Sequence, residues 1–167
     1  MTTQELLDTV NKKLSEHFHG SLEHSEMSYD FPVFTINKEK IHEVLSFLKN
    51  DADLNFHFLT DLCGIQTEDE KHLGVIYHLH NLPKNLRIRV KTFFPMTHPE
   101  IPTATDIWKA ANWMERETYD FYGVKFKGHP NLKRILNVDE MDIYPLRKEY
   151  PLEDQSRDDK SDKMFGR

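Results

Sequence analysis

Carboxylates, a histidine and aromatic rings crowd one stretch of this chain, Trp108 to Arg134, which reads WKAANWMERETYDFYGVKFKGHPNLKR. Glu115, Glu117 and Asp120, with His129 downstream, are the residue types that general acid–base chemistry uses. On one helix, however, Glu115 and Glu117 project roughly 200° apart and cannot act on one substrate atom. Arg116 stands four residues before Asp120 and Glu117 three before it, a spacing that makes a compact ionic cluster on one side. Ion pairs that clamp the following loop or a partner account for these charges better than catalysis does. Buried charge pairs specify geometry more than they add stability.

Other candidate chemistry is weaker. Of the ten histidines, His78 and His80 form the best metal pair, because residues two apart on a strand share a face. No third ligand follows from spacing, and no His-x-x-x-His or Cys-x-x-Cys occurs, so hydrogen-bonded or solvated histidines are the commoner outcome. Cys63 is the single cysteine, which excludes an internal disulfide and cannot by itself hold an iron–sulfur cluster, a centre that needs about four thiolates. As a nucleophile it has no local partner motif, and a small packed residue is the plainer reading. Arg87, Arg89 and Lys91 form a basic row that either docks an acidic partner or is a solvated strand face, the commoner case. Neither GxGxxG nor GxxxxGK[ST] is present, so both common nucleotide cradles are missing.

Several elements must position these residues. Thr2 and Glu5 have capping-box spacing ahead of Leu7, Val10, Leu14 and Phe18, which predicts a helix over about 3–18. Two short strands follow over Leu22 to Ile36, separated at Pro32. Asn37 is placed to cap a second helix with Ile41, Val44, Leu45 and Leu48 along one stripe. Leu54, Phe56 and Phe58 alternate into a third strand that reaches Gly64. Leu73 to Leu79 and Leu86 to Val90 alternate as a hairpin whose second strand is two-faced. Prolines 95, 99 and 102 read as an extended linker, after which the central helix starts near Thr103 to Asp106 and runs to Tyr122. Ile107, Ala111, Met114, Thr118 and Phe121 would face the core, with Glu115, Tyr119 and Tyr122 on a third side. Gly123 supplies the left-handed stop, Val124 and Phe126 a short strand, and Gly128 to Pro130 a second break.

Irregular alternation of helices and strands predicts an α+β fold: a single two-layer domain, a mixed sheet covered by helices, with an extended C-terminal tail. The domain is assigned to residues 1–136, and 137–167 to an extended segment. Within that segment 137–151 reads as ordered coil anchored by Tyr144, Arg147 and Tyr150, and the charged run from Glu153 onward as disordered on its own.

With 167 residues there is room for one sizeable core. A net charge of −6 argues against nucleic acid as a general partner. No run approaches the roughly 18 apolar residues that span a bilayer, and MTTQELLDTV has no apolar signal core, which predicts a soluble or peripheral protein made in the cytoplasm.

ERETYDFYGVKFKGHPNLKRIL, Glu115 to Leu136, resembles the signature of the 30 kDa subunit of respiratory complex I, the proton-pumping NADH:quinone oxidoreductase. Glu115, Arg116 and Glu117 match its Glu-Arg-Glu; Asp120, Phe121 and Tyr122 match its acid with two aromatic or apolar positions; His129, Lys133, Ile135 and Leu136 fall at its later spacings. WKAANWMERE and YPLRKEYPLED extend the likeness on both sides. The resemblance implies a cofactor-free structural subunit of the hydrophilic arm, peripheral on the cytoplasmic side of the cell inner membrane. FMN and the iron–sulfur clusters would sit in partner subunits. Its neighbours would be the large quinone-site subunit and two iron–sulfur subunits of the same complex I arm, and it would meet NADH and quinone only through the complex. The expected partner surface comprises Glu115, Arg116, Glu117, Tyr119, Asp120, Tyr122, Gly123, His129, Pro130, Lys133, Arg134 and Tyr150. Alternatives are the equivalent subunit of a related membrane-bound hydrogenase, or a small free-standing acid–base or metal-dependent enzyme.

Overall fold

Thr2 opens the first helix, α1 (Thr3–His17), through a complete capping box: its hydroxyl accepts from the Glu5 N–H at 3.2 Å and its N–H donates to the Glu5 carboxylate at 2.8 Å. The structure, a computed structural model, describes residues 2–150. The charged run from Glu153 lies outside them.

Ten elements follow in order: α1, β1 (Leu22–Ser28), β2 (Phe31–Ile36), α2 (Ile41–Asn50), β3 (Phe58–Gln66), β4 (His72–Asn81), β5 (Leu86–Pro95), β6 (Glu100–Pro102), α3 (Ala111–Tyr122) and β7 (Lys125–Lys127). Five strands form one sheet in the order β1-β2-β5-β4-β3. Its pairs are antiparallel except β2 with β5, so the sheet is mixed, as the α+β reading requires. A second, parallel pair joins β6 to β7.

One face of the sheet carries the core. Phe34, Leu62, Val75, Tyr77, Leu79, Ile88, Val90 and Phe94 point into the cluster that takes Leu6, Leu7, Val10 and Leu14 from α1 and Ile41, Val44, Leu45 and Leu48 from α2. The third helix lies over β3, and Gly64 makes the approach possible. A Cβ at Gly64 would stand 2.6 Å from the Tyr122 ring and 2.9 Å from the Thr118 methyl.

Local chemistry moves several boundaries from where periodicity put them. Pro32 lies inside β2 instead of between strands, one residue before the ladder to β5 begins at Val33; the chain turns at Tyr29, with φ 56°. Asn37 does not cap α2: its carboxamide oxygen accepts from the Glu39 N–H at 2.9 Å, holding a separate turn ahead of a helix that starts at Ile41. Leu54 and Phe56 are buried but precede β3, in a turn that the Asp51 carboxylate fastens through the N–H groups of Asp53 and Leu54, each at 3.0 Å. Buried residues alternating through a turn imitate a strand's period of two. The proline linker contains β6. The start of α3 moves from the expected 103–106 to Ala111, because residues 104–110 form turns.

Candidate functional site

Two carboxylates on α3 are withdrawn from solvent, Glu115 and Asp120, both at 0 % exposure. The core side of α3 carries Ala111, Glu115 and Thr118, so Glu115 does not share a side with Tyr119 and Tyr122 as helical spacing suggested. Its two oxygens accept from the Thr103 hydroxyl and the Ala104 N–H, each at 2.6 Å. This pair of bonds folds 103–105 against α3 and explains why the helix is not longer. Burial pushes the Glu115 carboxyl up to about 7, against the opposing pull of those two donors. Nearby, burial and then the charge of Glu115 raise the phenol of Tyr77.

Asp120 has a different setting. Oδ1 accepts from Arg134 Nη1 at 2.7 Å and Asn137 Nδ2 at 3.1 Å, while Oδ2 accepts the backbone N–H groups of Ile135, Leu136 and Asn137 at 3.0, 2.8 and 2.9 Å. Burial alone would raise this carboxyl; the Asn137 N–H and the Arg134 guanidinium, followed by the other two N–H groups, outweigh it and hold the group well below the usual carboxylate range. Arg134 also donates to the carbonyls of Asp120, Met141 and Ile143, and lies 5.2 Å from the Tyr144 ring centre. The partner of Asp120 is thus Arg134 and not Arg116, as the four-residue spacing suggested. Arg116 instead donates to the carbonyls of Lys133 and Arg134 at 3.1 and 2.9 Å.

The remaining expected residues divide between fastening and exposure. Gly123 closes α3 at φ 76°, and a Cβ there would stand 2.6 Å from both Tyr144 and Arg147. The Tyr122 carbonyl accepts from Arg147 Nε at 2.8 Å, and Tyr119 meets Tyr144 edge-on at 6.2 Å. His129 Nδ1 accepts from the Asn131 N–H, so Nε2 carries the proton and donates to the Asn112 carbonyl at 3.0 Å. Both ring nitrogens are therefore engaged. Tyr150 bonds back to the Arg147 carbonyl through its N–H and is half-buried. Glu117, Pro130 and Lys133 are exposed. Glu117 lines a cleft of about 330 Å³ with Asp61, Cys63, Phe121 and Leu146, and makes no ion pair among the described residues. The expected ionic cluster of Arg116, Glu117 and Asp120 does not form.

What spacing did not reveal is the apolar part of this surface. Trp113, Leu136, Val138 and Leu146 are 57 %, 65 %, 63 % and 45 % exposed, all on α3 or on the segment that Asp120 and Arg134 fold back against it. The one available signal was that three of these large residues follow Gly123 in a region without regular periodicity. His78 and His80 do share a face, but each lies across from an arginine, Arg89 and Arg87, an environment that repels a cation. Among the described residues no cluster of three ligating side chains could hold a metal, and no helix is long and apolar enough to cross a membrane.

Residues 34–156 match the family described as respiratory-chain NADH dehydrogenase, 30 kDa subunit. The chain belongs to that family. It is 41 % identical over 149 residues to the C subunit of NADH-quinone oxidoreductase from Citrifermentans bemidjiense, covering 87 % of this chain and 90 % of that one. The structure is similar to the trypsin-resistant fragment of Nqo5, with a TM-score of 0.64 and 27 % identity over 79 % of this chain and 100 % of the fragment. It shares the fold of a chain in the archaeal membrane-bound sulfane sulfur reductase, with a TM-score of 0.74 and 24 % identity over 89 % and 85 % of the two chains. The resemblance at Glu115 to Leu136 therefore extends across most of this member of the 30 kDa subunit family.

Proposed function

We propose that this chain is a structural subunit of the hydrophilic arm of a proton-translocating NADH:quinone oxidoreductase, and that α3 with its returning segment is its assembly surface. The observation that carries this reading is the inversion at that surface. The buried polar groups of α3 are satisfied within the chain, while Trp113, Leu136, Val138 and Leu146 stand exposed around them. Large apolar side chains rimmed by polar residues mark protein interfaces, and aromatic residues dominate their energetics. Glu115, Asp120, Gly123 and Arg134 fix the shape; Trp113, Glu117 and the apolar residues of the return segment meet the partner.

In this reading the chain does no chemistry itself. Asp120 accepts five hydrogen bonds and His129 has both ring nitrogens bonded within the chain, so in this reading both are fastening groups. FMN and the iron–sulfur clusters belong to partner subunits. We assign the α3 surface to the large quinone-site subunit, with two iron–sulfur subunits beyond it, on the cytoplasmic side of the inner membrane. The segment beyond Leu136 acts as the extension that reaches the partner. The equivalent subunit of a hydrogenase-type complex is the alternative, and the chains that co-purify from membranes decide between the two.

Glu117→Ala is the clean test, because Glu117 makes no ion pair within the described residues. It is expected to lower the assembled complex by roughly fivefold, the effect of about 1 kcal/mol, while NADH oxidation at the flavin end persists. Arg116→Ala is expected to do the same with some loss of fold, since Arg116 holds the carbonyls of Lys133 and Arg134. Full assembly with normal quinone reduction in both variants overturns the assignment.

A further inference from the structure

The helices cover one face of the five-stranded sheet and leave the other without a helix. On this second face pairing sets His78 opposite Arg89 and His80 opposite Arg87, with Val33 of β2 on the far side of Arg89. Val33 is buried at 1 % exposure yet stands outside the main core cluster. Arg87, Arg89 and Lys91 put a row of positive charge on this face of a chain of net charge −6, with Asp61 as the carboxylate across from His78 on its other side. Lys91, the third member of the row, has Glu26 at 4.0 Å. Arg87 and Arg89 have no carboxylate at ion-pair distance among the described residues.

Two polar atoms make the face more than a solvated strand surface. Arg89 Nε is buried without an acceptor, and so is His80 Nε2 without a partner. The Arg89 guanidinium lies 5.7 Å from the centre of the Phe31 ring, and that ring meets His78 edge-on at 6.5 Å. A buried polar atom without a partner is destabilising, and of these two His80 Nε2 belongs to a residue that borders a cleft an outside group can enter. Phe31, His78, His80 and Arg87 line a cleft of about 210 Å³ on this face. That is below the roughly 300–1,000 Å³ of pockets that take small-molecule ligands, and suits a single side chain.

We propose that this helix-free face docks an acidic segment of a partner protein, with one Asp or Glu carboxylate entering the cleft over Phe31 between Arg87 and His80. The inference rests on the assembly reading and adds a second surface, on the opposite side of the sheet from α3. Arginine suits the role because its fork meets a carboxylate through two parallel bonds. The overall negative charge opposes nucleic acid and anionic bilayers, which present charge over many ångströms, whereas one carboxylate at contact meets the local field. Phe31 favours a segment in which the acid has an apolar neighbour.

The test uses the full chain in its own membranes. With Arg87→Lys, a carbodiimide that joins amine to carboxylate at zero length is expected to couple position 87 to an Asp or Glu of another chain, identified by mass spectrometry. Coupling only to acids of this chain, or none, overturns the proposal. Arg87→Glu is expected to reduce the partner protein recovered with the chain about tenfold, with the amount of soluble chain unchanged and Arg87→Lys retaining recovery. Unchanged recovery with Arg87→Glu overturns it, as does an Arg87-dependent affinity for phosphatidylglycerol vesicles in place of protein coupling. If the wild-type chain co-purifies with the complex and Glu117→Ala disrupts assembly while position 87 is indifferent, this inference alone fails. If the chain co-purifies with no respiratory subunit, the assembly reading fails with it.

Discussion

Glu115 and Asp120 lie five residues apart on the same helix, both fully buried, yet their surroundings drive their acidities in opposite directions. Glu115 has two neutral donors and no cation; Asp120 has four neutral donors and a guanidinium. Burial opposes the charged form in both places, and only Asp120 has a cation to compensate it. Asp120 stays ionised and organises the chain after Lys133. Glu115 is balanced near neutrality and fastens only the 103–105 turn. The comparison separates a permanent ionic pin from a titratable one.

The largest expected effect comes from removing the cation. Arg134→Met leaves Asp120 buried without its cation, held by neutral donors alone, and frees the carbonyls of Met141 and Ile143. A loss of about 3 kcal/mol or more is expected in urea unfolding followed by tryptophan fluorescence. Arg134→Lys should recover little, because an ammonium cannot reach the same acceptors as a planar fork. The lowered pKa of Asp120 also sets a pH signature. Its contribution is complete above the ordinary carboxylate range and is lost as pH falls through its lowered folded value. The stability difference between wild type and Arg134→Met should therefore narrow in strong acid. A constant difference from neutral to strongly acidic pH refutes the ionic pin.

Glu115 gives the opposite slope. Its folded value of about 7 lies above the ordinary 4.5, so the folded chain holds a proton that the unfolded chain has released between those limits. Stability linked to this group is complete below about 4.5 and lost as pH rises through about 7. The change across the window is on the order of 3 kcal/mol. Glu115→Gln keeps the shape and one acceptor oxygen for Ala104, and is expected to flatten the profile over that range. A profile unchanged in Glu115→Gln shows that the carboxyl is not the titrating group.

These two acids also mark how far the chain's function could be read from its residues. Amphipathic stripes in α1 and α2, the β4–β5 hairpin and the Gly123 stop follow from periodicity and backbone chemistry, and they appear where the spacing put them. Strand order depends on contacts between distant segments, above all the parallel pairing of β2 with β5, which no local pattern encodes. In the candidate surface, the signature Glu-Arg-Glu and its following acid were recognisable as a group. Their partners were not, because Arg134 reaches Asp120 from fourteen residues away while Arg116, one turn away, points to backbone carbonyls. Nearness along a helix offered a plausible pair, and the long-range fork displaced it. The exposed residues Leu136, Val138 and Leu146 were hidden for the same reason: they become a surface only after Asp120 draws the chain back.

The smallest expected effects sharpen the contrast most, because each removes one neutral donor from one of the two acids. Thr103→Val deletes the hydroxyl bonded to Glu115, leaving only the Ala104 N–H. About 1 kcal/mol should be lost above neutrality, where Glu115 is ionised, and the downward step in stability should move to higher pH, since the deleted bond favoured the charged form. Asn137→Ala deletes the amide bonded to Asp120 at 3.1 Å, leaving the guanidinium and three N–H groups in place. About 0.5 kcal/mol is expected to be lost, with the acid end of the stability profile little changed. The expectation is asymmetric: one acid tolerates losing a donor because a cation remains, the other does not because a single N–H is all that still holds its charge. Equal losses with no movement of either pH profile would show that the number of donors, and not the cation, separates the two sites.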